Sequence, residues 1–116
     1  MADLNNHDID WQLLQQYREI LGESGLQESV KMFTDIAPKY YAELEQHIVQ
    51  QDEASVRSQA HKLKGSCRSL GFQRLGLTMA FIEKEQWQWQ ELAAQMQQWL
   101  PWFHQDTAIV NAWLQR

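Results

Sequence analysis

Stepping along the chain at about 100° per residue, apolar side chains recur at intervals of three and four over most of its length, and strand-like alternation is absent. Ile9, Leu13, Leu14, Tyr17 and Leu21 outline a first, short helix, with Asp8 or Asp10 as its cap and an end near Gly22 to Gly25. Leu26, Val30, Phe33, Ala37, Tyr40 or Tyr41, Leu44 and Ile48 outline a long second helix, which Pro38 is expected to kink by removing a backbone donor. A third helix, from Asp52 to Leu70, places Val56, Ala60, Leu63, Cys67 and Leu70 on one stripe and is closed by Gly71. Leu75, Met79, Ile82 and Gln86 mark a fourth. A fifth begins near Trp89 or Gln90 and carries Leu92, Met96, Trp99, Phe103, Val110 and Trp113, with Pro101 bending or dividing it. The connections are short, so neighbouring helices should run antiparallel. The expected fold is all-α, an antiparallel four-helix bundle with an additional short N-terminal helix, in one domain over residues 1–116.

Against the stripe of the third helix, His61 points roughly the opposite way. Arg57, Lys64, Gly65 and Arg68 lie three, four or seven residues from it and share its face. A lone helical histidine is more often an incidental surface group or a satisfied core residue. Its face argues against the core, and the charge distribution argues against incidence. From Ala54 to Ile82 the chain has no Asp or Glu but carries Arg57, Lys62, Lys64, Arg68 and Arg74, whereas the whole chain has 15 acidic and 10 basic residues. A formal net charge of −5 with one acid-free basic stretch describes a local anion site on an acidic protein.

Imidazole is nucleophilic when neutral, so a solvent-facing histidine in such a setting can attack an activated phosphoryl group. Lys64 and Arg68 would support the negative charge of the product. Gly65 costs about 1 kcal/mol relative to Ala in a helix interior. Its presence one turn from His61 suggests that something approaches the backbone closely there.

The run Ala60-His61-Lys62-Leu63-Lys64-Gly65-Ser66, followed by Leu70-Gly71, resembles the signature of histidine-containing phosphotransfer (HPt) domains. Asp52, Phe33, Pro38 and the segment from Leu75 to Glu83 suit that family's layout, while Cys67 and Phe72 replace smaller residues that are commoner there. The resemblance implies that His61 is the phosphorylated residue, Lys64 its charge partner, and Gly65 the clearance for a docking receiver domain. It also implies partners that are response-regulator receivers, including the receiver of a hybrid sensor kinase. Mg²⁺ is then expected in the receiver and no cofactor in this chain.

Other classes fit less well. No histidine is preceded by Glu three residues earlier, as carboxylate-bridged bundles require, and one cysteine cannot build a zinc site. Hydrolase, kinase and glycine-rich nucleotide motifs are absent, so phosphate must come from another protein. The tryptophans between Trp87 and Trp102 lack the basic lining of a nucleic-acid groove. Trp99 and Trp113 follow the core spacing, whereas Trp87, Trp89 and Trp102 cannot all share it. Cys67 reads as a small core hydrophobe. No apolar run is long enough to span a bilayer, and the start of the chain is polar and acidic, so a cytoplasmic location is expected; the domain is also expected to be a monomer. The rival from another class is a noncatalytic adaptor whose basic patch, Arg57, Lys64 and Arg68, binds an acidic partner with His61 uninvolved.

Overall fold

The computed structural model describes residues 8–116, and four helices account for most of them: α1 (Trp11–Val49), α2 (Glu53–Ser69), α3 (Gln73–Lys84) and α4 (Trp89–Leu114). Each begins or ends where local chemistry dictates. Asp10 caps α1 through Oδ1, which accepts from the Leu13 N–H at 3.1 Å, and Asp52 caps α2 in the same way through Ser55 at 3.2 Å. The Glu91 carboxylate accepts from the Gln88 N–H at 2.9 Å and fixes the start of α4.

The first two expected helices form one long element with a break. Gly22, at φ 78 and ψ 166, is the one residue inside α1 with non-helical dihedrals, and it separates the short leading stretch from the long one. Helical geometry resumes at once, so no loop intervenes. The backbone stays helical at Pro38, where a kink was expected, and α4 continues through Pro101 undivided. The break falls instead where glycine permits a left-handed φ.

The turn between α2 and α3 sets the register of the site. Phe72 N–H donates to the Cys67 carbonyl and Gly71 N–H to that of Arg68, closing α2 with a Schellman pattern whose left-handed residue is Gly71 at φ +79. A side chain at Gly71 would meet the Asp10 carbonyl at 3.0 Å. The same turn is tied to the start of α1 by a bridge between Ile9 and Phe72.

Contacts run α1 to α2, α2 to α3, α3 to α4 and α4 back to α1, closing the bundle around one core. Val56, Ala60, Leu63 and Cys67 are fully buried in it, as the stripe on the third expected helix requires. Phe72 is fully buried and stacks on Phe33, with centroids 4.8 Å apart. Trp99 is fully buried and donates from Nε1 to the Leu75 carbonyl, while Trp87, Trp89 and Trp102 are half-buried. Asp106, wholly inaccessible in α4, is held by the Arg74 guanidinium of α3 through bonds of 2.8 and 3.0 Å. Among the described residues, no helix is long and apolar enough to cross a membrane. His7, one of the four histidines without a Glu three residues earlier, lies outside the described residues.

Candidate functional site

His61 stands in the middle of α2 with 69% of its side chain exposed, on the side opposite the buried stripe. Gly65, one turn on, is exposed, and a Cβ built there would meet nothing within 4 Å. No packing requirement within the chain therefore explains the glycine.

The immediate neighbour of the imidazole is a carboxylate. Glu83, in the last turn of α3, places Oε2 2.8 Å from His61 Nδ1 and Oε1 2.5 Å from Lys64 Nζ. This corrects the expectation of a histidine ringed only by cations. The acid-free stretch ends at Ile82, and the first acidic residue beyond it folds back onto the histidine. Lys64 and His61, through these contacts, hold the Glu83 carboxyl below its usual range against the opposing effect of desolvation, with the Lys64 hydrogen bond the largest cause. An ionised carboxylate only accepts hydrogen bonds, so Nδ1 must carry the proton in this contact. The neutral ring then keeps its lone pair on Nε2.

Lys64 is also not a solvent-facing cation. It is 8% exposed, its stem lies along the bundle, and its ammonium is engaged by Glu83. Arg57 is committed to structure. Its Nε pairs with Glu53 at 2.9 Å, its Nη1 donates to the Glu83 carbonyl at 2.8 Å, and its guanidinium lies over the Trp87 ring at 4.6 Å. It thereby satisfies a carbonyl left open at the end of α3 and fixes the backbone that carries Glu83. Arg68 is exposed, and its stem covers Gly76 of α3, where a Cβ would meet Arg68 Cγ at 3.0 Å. The structure therefore brings His61, Lys64 and Gly65 together with Glu83, and gives Arg57 a supporting place behind them.

Two of the three cations in the adaptor reading, Arg57 and Lys64, are already neutralised within the chain, which leaves that reading little free basic surface. Cys67 is fully buried, and burial pushes its thiol well up from the ordinary value, so it stays a protonated core residue. Among the described residues, no three metal-ligating side chains converge.

Beside this face runs a groove of about 650 Å³ between α1 and α2. Tyr17, Leu21, Met32, Ile36 and Tyr40 supply its apolar wall and Ser66 and Ser69 its α2 rim. Met32 is 71% exposed on this wall. Lys62, beside His61 in sequence, lies over the Tyr40 ring at 4.7 Å and links the groove to the histidine face.

A family model described as Hpt domain matches residues 28–113. The aerobic respiration control sensor protein ArcB of Escherichia coli strain K12 is 25% identical over 114 residues, covering 91% of this chain and 14% of the relative. The ArcB proteins of Shigella flexneri and Escherichia coli O157:H7 match with the same identity and coverage. The chain thus spans about 14% of the length of these curated relatives. No solved structure matches. The chain belongs to the Hpt domain family.

Proposed function

We propose that this Hpt domain is a phosphorelay intermediate in which Nε2 of His61 accepts a phosphoryl group from a receiver-domain phosphoaspartate and passes it to, or takes it back from, a receiver aspartate. Family membership gives the coarser statement, a histidine phosphotransfer role for a phosphocarrier without an ATP site of its own. The single observation that carries the finer reading is the His61 side chain, exposed on α2 with Nδ1 engaged by Glu83 and Nε2 left free.

In the transfer, the bond between phosphorus and the aspartyl oxygen breaks as the bond to Nε2 forms, and the electron pair of the broken bond returns to the aspartate. The reverse step is the same in mirror image. Lys64, held within reach of the same carboxylate as His61, supplies charge support for the phosphoryl oxygens. The receiver supplies Mg²⁺ and most of the electrostatic catalysis. Gly65 leaves open space for the receiver to approach, and the apolar groove between α1 and α2 extends the docking face. Arg68 borders that face. Arg57, expected to share it, acts instead through the α3 terminus.

Similarity to a sensor protein supports partners of the two-component class, including the receiver of a hybrid sensor kinase. We place the domain in the cytoplasm as a monomer. The test is transfer from a labelled, phosphorylated receiver with Mg²⁺. Label in an acid-labile, base-stable form on the wild type, and none on His61→Gln, supports the reading. Equal labelling of both proteins overturns it.

A further inference from the structure

The leading part of α1 is held to the bundle by contacts that do not require it to belong to the same chain. α1 has 39 residues, and a straight helix of that number is about 58 Å long, whereas the longest dimension of the molecule is 43 Å. The helix therefore turns at Gly22, and residues 8–21 form an arm laid against the rest of the bundle. The cradle for this arm is the α2–α3 turn and the end of α4. Asp10 N–H donates to the Gly71 carbonyl and Gln73 N–H to the Asp8 carbonyl, both at 2.8 Å. Ile9 and Leu14 are buried, Trp11 meets Trp113 with centroids 5.5 Å apart, and the Arg18 guanidinium lies over the Trp113 ring at 4.5 Å.

The joint between arm and bundle is a single residue. Gly22 takes φ 78 and ψ 166, a region essentially confined to glycine, and helix resumes on either side. A Cβ there would meet nothing within 4 Å, so the backbone conformation and not crowding sets the need for glycine. Arg18 and Glu23 pair across the break at 2.6 Å. Five residues apart, they would point about 140° from each other on a straight helix, so this pair belongs to the turned form alone.

We propose that the arm is exchangeable between two copies of this chain. When Gly22 takes helical dihedrals, α1 becomes one straight helix that carries the arm off its own bundle and seats it in the identical cradle of a second copy. Each contact between arm and cradle re-forms between the copies, twice by symmetry. A straightened arm exposes Ile9 and Leu14, and the surface shaped to bury them is this cradle, which identifies the partner as another copy. The turned form keeps the Arg18–Glu23 pair and loses no freedom to association, so it is the monomer at low concentration. The straight form gains an unbroken helix through residue 22. Tyr17 of the arm lines the groove beside Ser66 and Ser69 of α2, so in the exchanged pair each groove is completed by the other copy.

The experiment compares wild type and Gly22→Ala by size-exclusion chromatography with light scattering, and by isotope-filtered NOEs in samples co-refolded from labelled and unlabelled chains. Alanine favours the helix and disfavours the turned hinge in both chains of a pair, so the dimerisation constant should tighten by about a hundredfold or more. Gly22→Ala should run as a dimer where the wild type is a monomer, with NOEs between Trp11 of one chain and Trp113 of the other. Wild type refolded from urea at high concentration should give a dimer fraction with the same intermolecular NOEs, returning to monomer on dilution. A folded, monomeric Gly22→Ala overturns the proposal, as does a dimer whose Trp11–Trp113 contact stays within one chain. Should Gly22→Ala fail to fold, the wild type decides, and its return as monomer alone from concentrated refolding overturns the exchange. None of these measurements uses a receiver, so their outcome is independent of the transfer reading.

Discussion

Gly65 gives the sharpest separation between what the fold requires and what function requires. A Cβ at this position would meet nothing within 4 Å, and its backbone is helical, so Gly65→Ala introduces no clash and no strain. Replacing a helical glycine by alanine reduces the conformational entropy of the unfolded chain and should stabilise the protein by about 0.5 to 1 kcal/mol. For a domain of this size that corresponds to a rise in Tm of roughly 2 to 5 °C. Gly65→Leu should fold as well as the wild type or nearly so, because the added atoms enter solvent. In the transfer assay the two variants should diverge: alanine adds one methyl group beside His61, whereas leucine fills the approach to Nε2 and should slow transfer by about tenfold or more, as misplacing reacting groups by an ångström can cost about a hundredfold. Thermal unfolding followed by circular dichroism, together with initial transfer rates, reads both effects. A destabilised Gly65→Ala means that the chain needs the glycine for its own packing. Wild-type transfer by Gly65→Leu means that nothing approaches the helix at that point.

Other consequences concern the scaffold and its response to pH. Leu63→Ala, which empties a fully buried position on the stripe opposite His61, should cost about 2 to 5 kcal/mol in urea unfolding, and a value near zero would mean that the stripe is not the core. Asp106→Ala strands the Arg74 guanidinium against α4 and should cost roughly 3 kcal/mol, less if Arg74, with 21% of its side chain exposed, turns to solvent; an unchanged midpoint refutes the pairing as a tie between α3 and α4. The Glu83 carboxyl lies below its ordinary value in the folded chain, so the unfolded chain binds the proton more readily and acid favours unfolding. Its contribution is present above the ordinary carboxylate range and is lost as pH falls through the lowered value. Stability against pH should therefore drop less steeply on the acid side for Glu83→Gln than for the wild type, and coincident profiles would remove the ion pair from the account.

The α2 stripe and the outward face of His61 were legible because each depends on residues within one or two turns, and the first cap was narrowed to Asp8 or Asp10, of which the structure uses Asp10; Asp52, read as the first residue of its helix, is the cap of α2. Periodicity alone places Val56, Ala60, Leu63 and Cys67 on one side and His61 on the other. Pro38 and Pro101 remove one donor each, yet both helices run on past them, and the residue with non-helical dihedrals in α1 is Gly22, where the backbone takes a left-handed φ. Arg57 and Lys64 share the His61 side of a helical wheel, but a wheel says nothing about the neighbouring helix, and both side chains find their partners on α3 or at its end. Glu83 was missed because it lies one residue beyond the acid-free stretch. A signal for it did exist. In an antiparallel pair joined by a tight turn, residues equally distant from the turn face each other, and His61 and Glu83 lie symmetrically about Phe72. Reading the α2–α3 hairpin in register, instead of each helix by itself, brings the carboxylate to the histidine.

The central claim is that Nε2 of His61 carries the phosphoryl group. Its most direct test is to phosphorylate the ¹⁵N-labelled chain with a phosphorylated receiver and record phosphorus–nitrogen coupling to the histidine rings. The account predicts coupling to Nε2 of His61 alone, with Nδ1 still protonated toward Glu83. Coupling to Nδ1 of His61, or to the ring of His47 or His104, would contradict it.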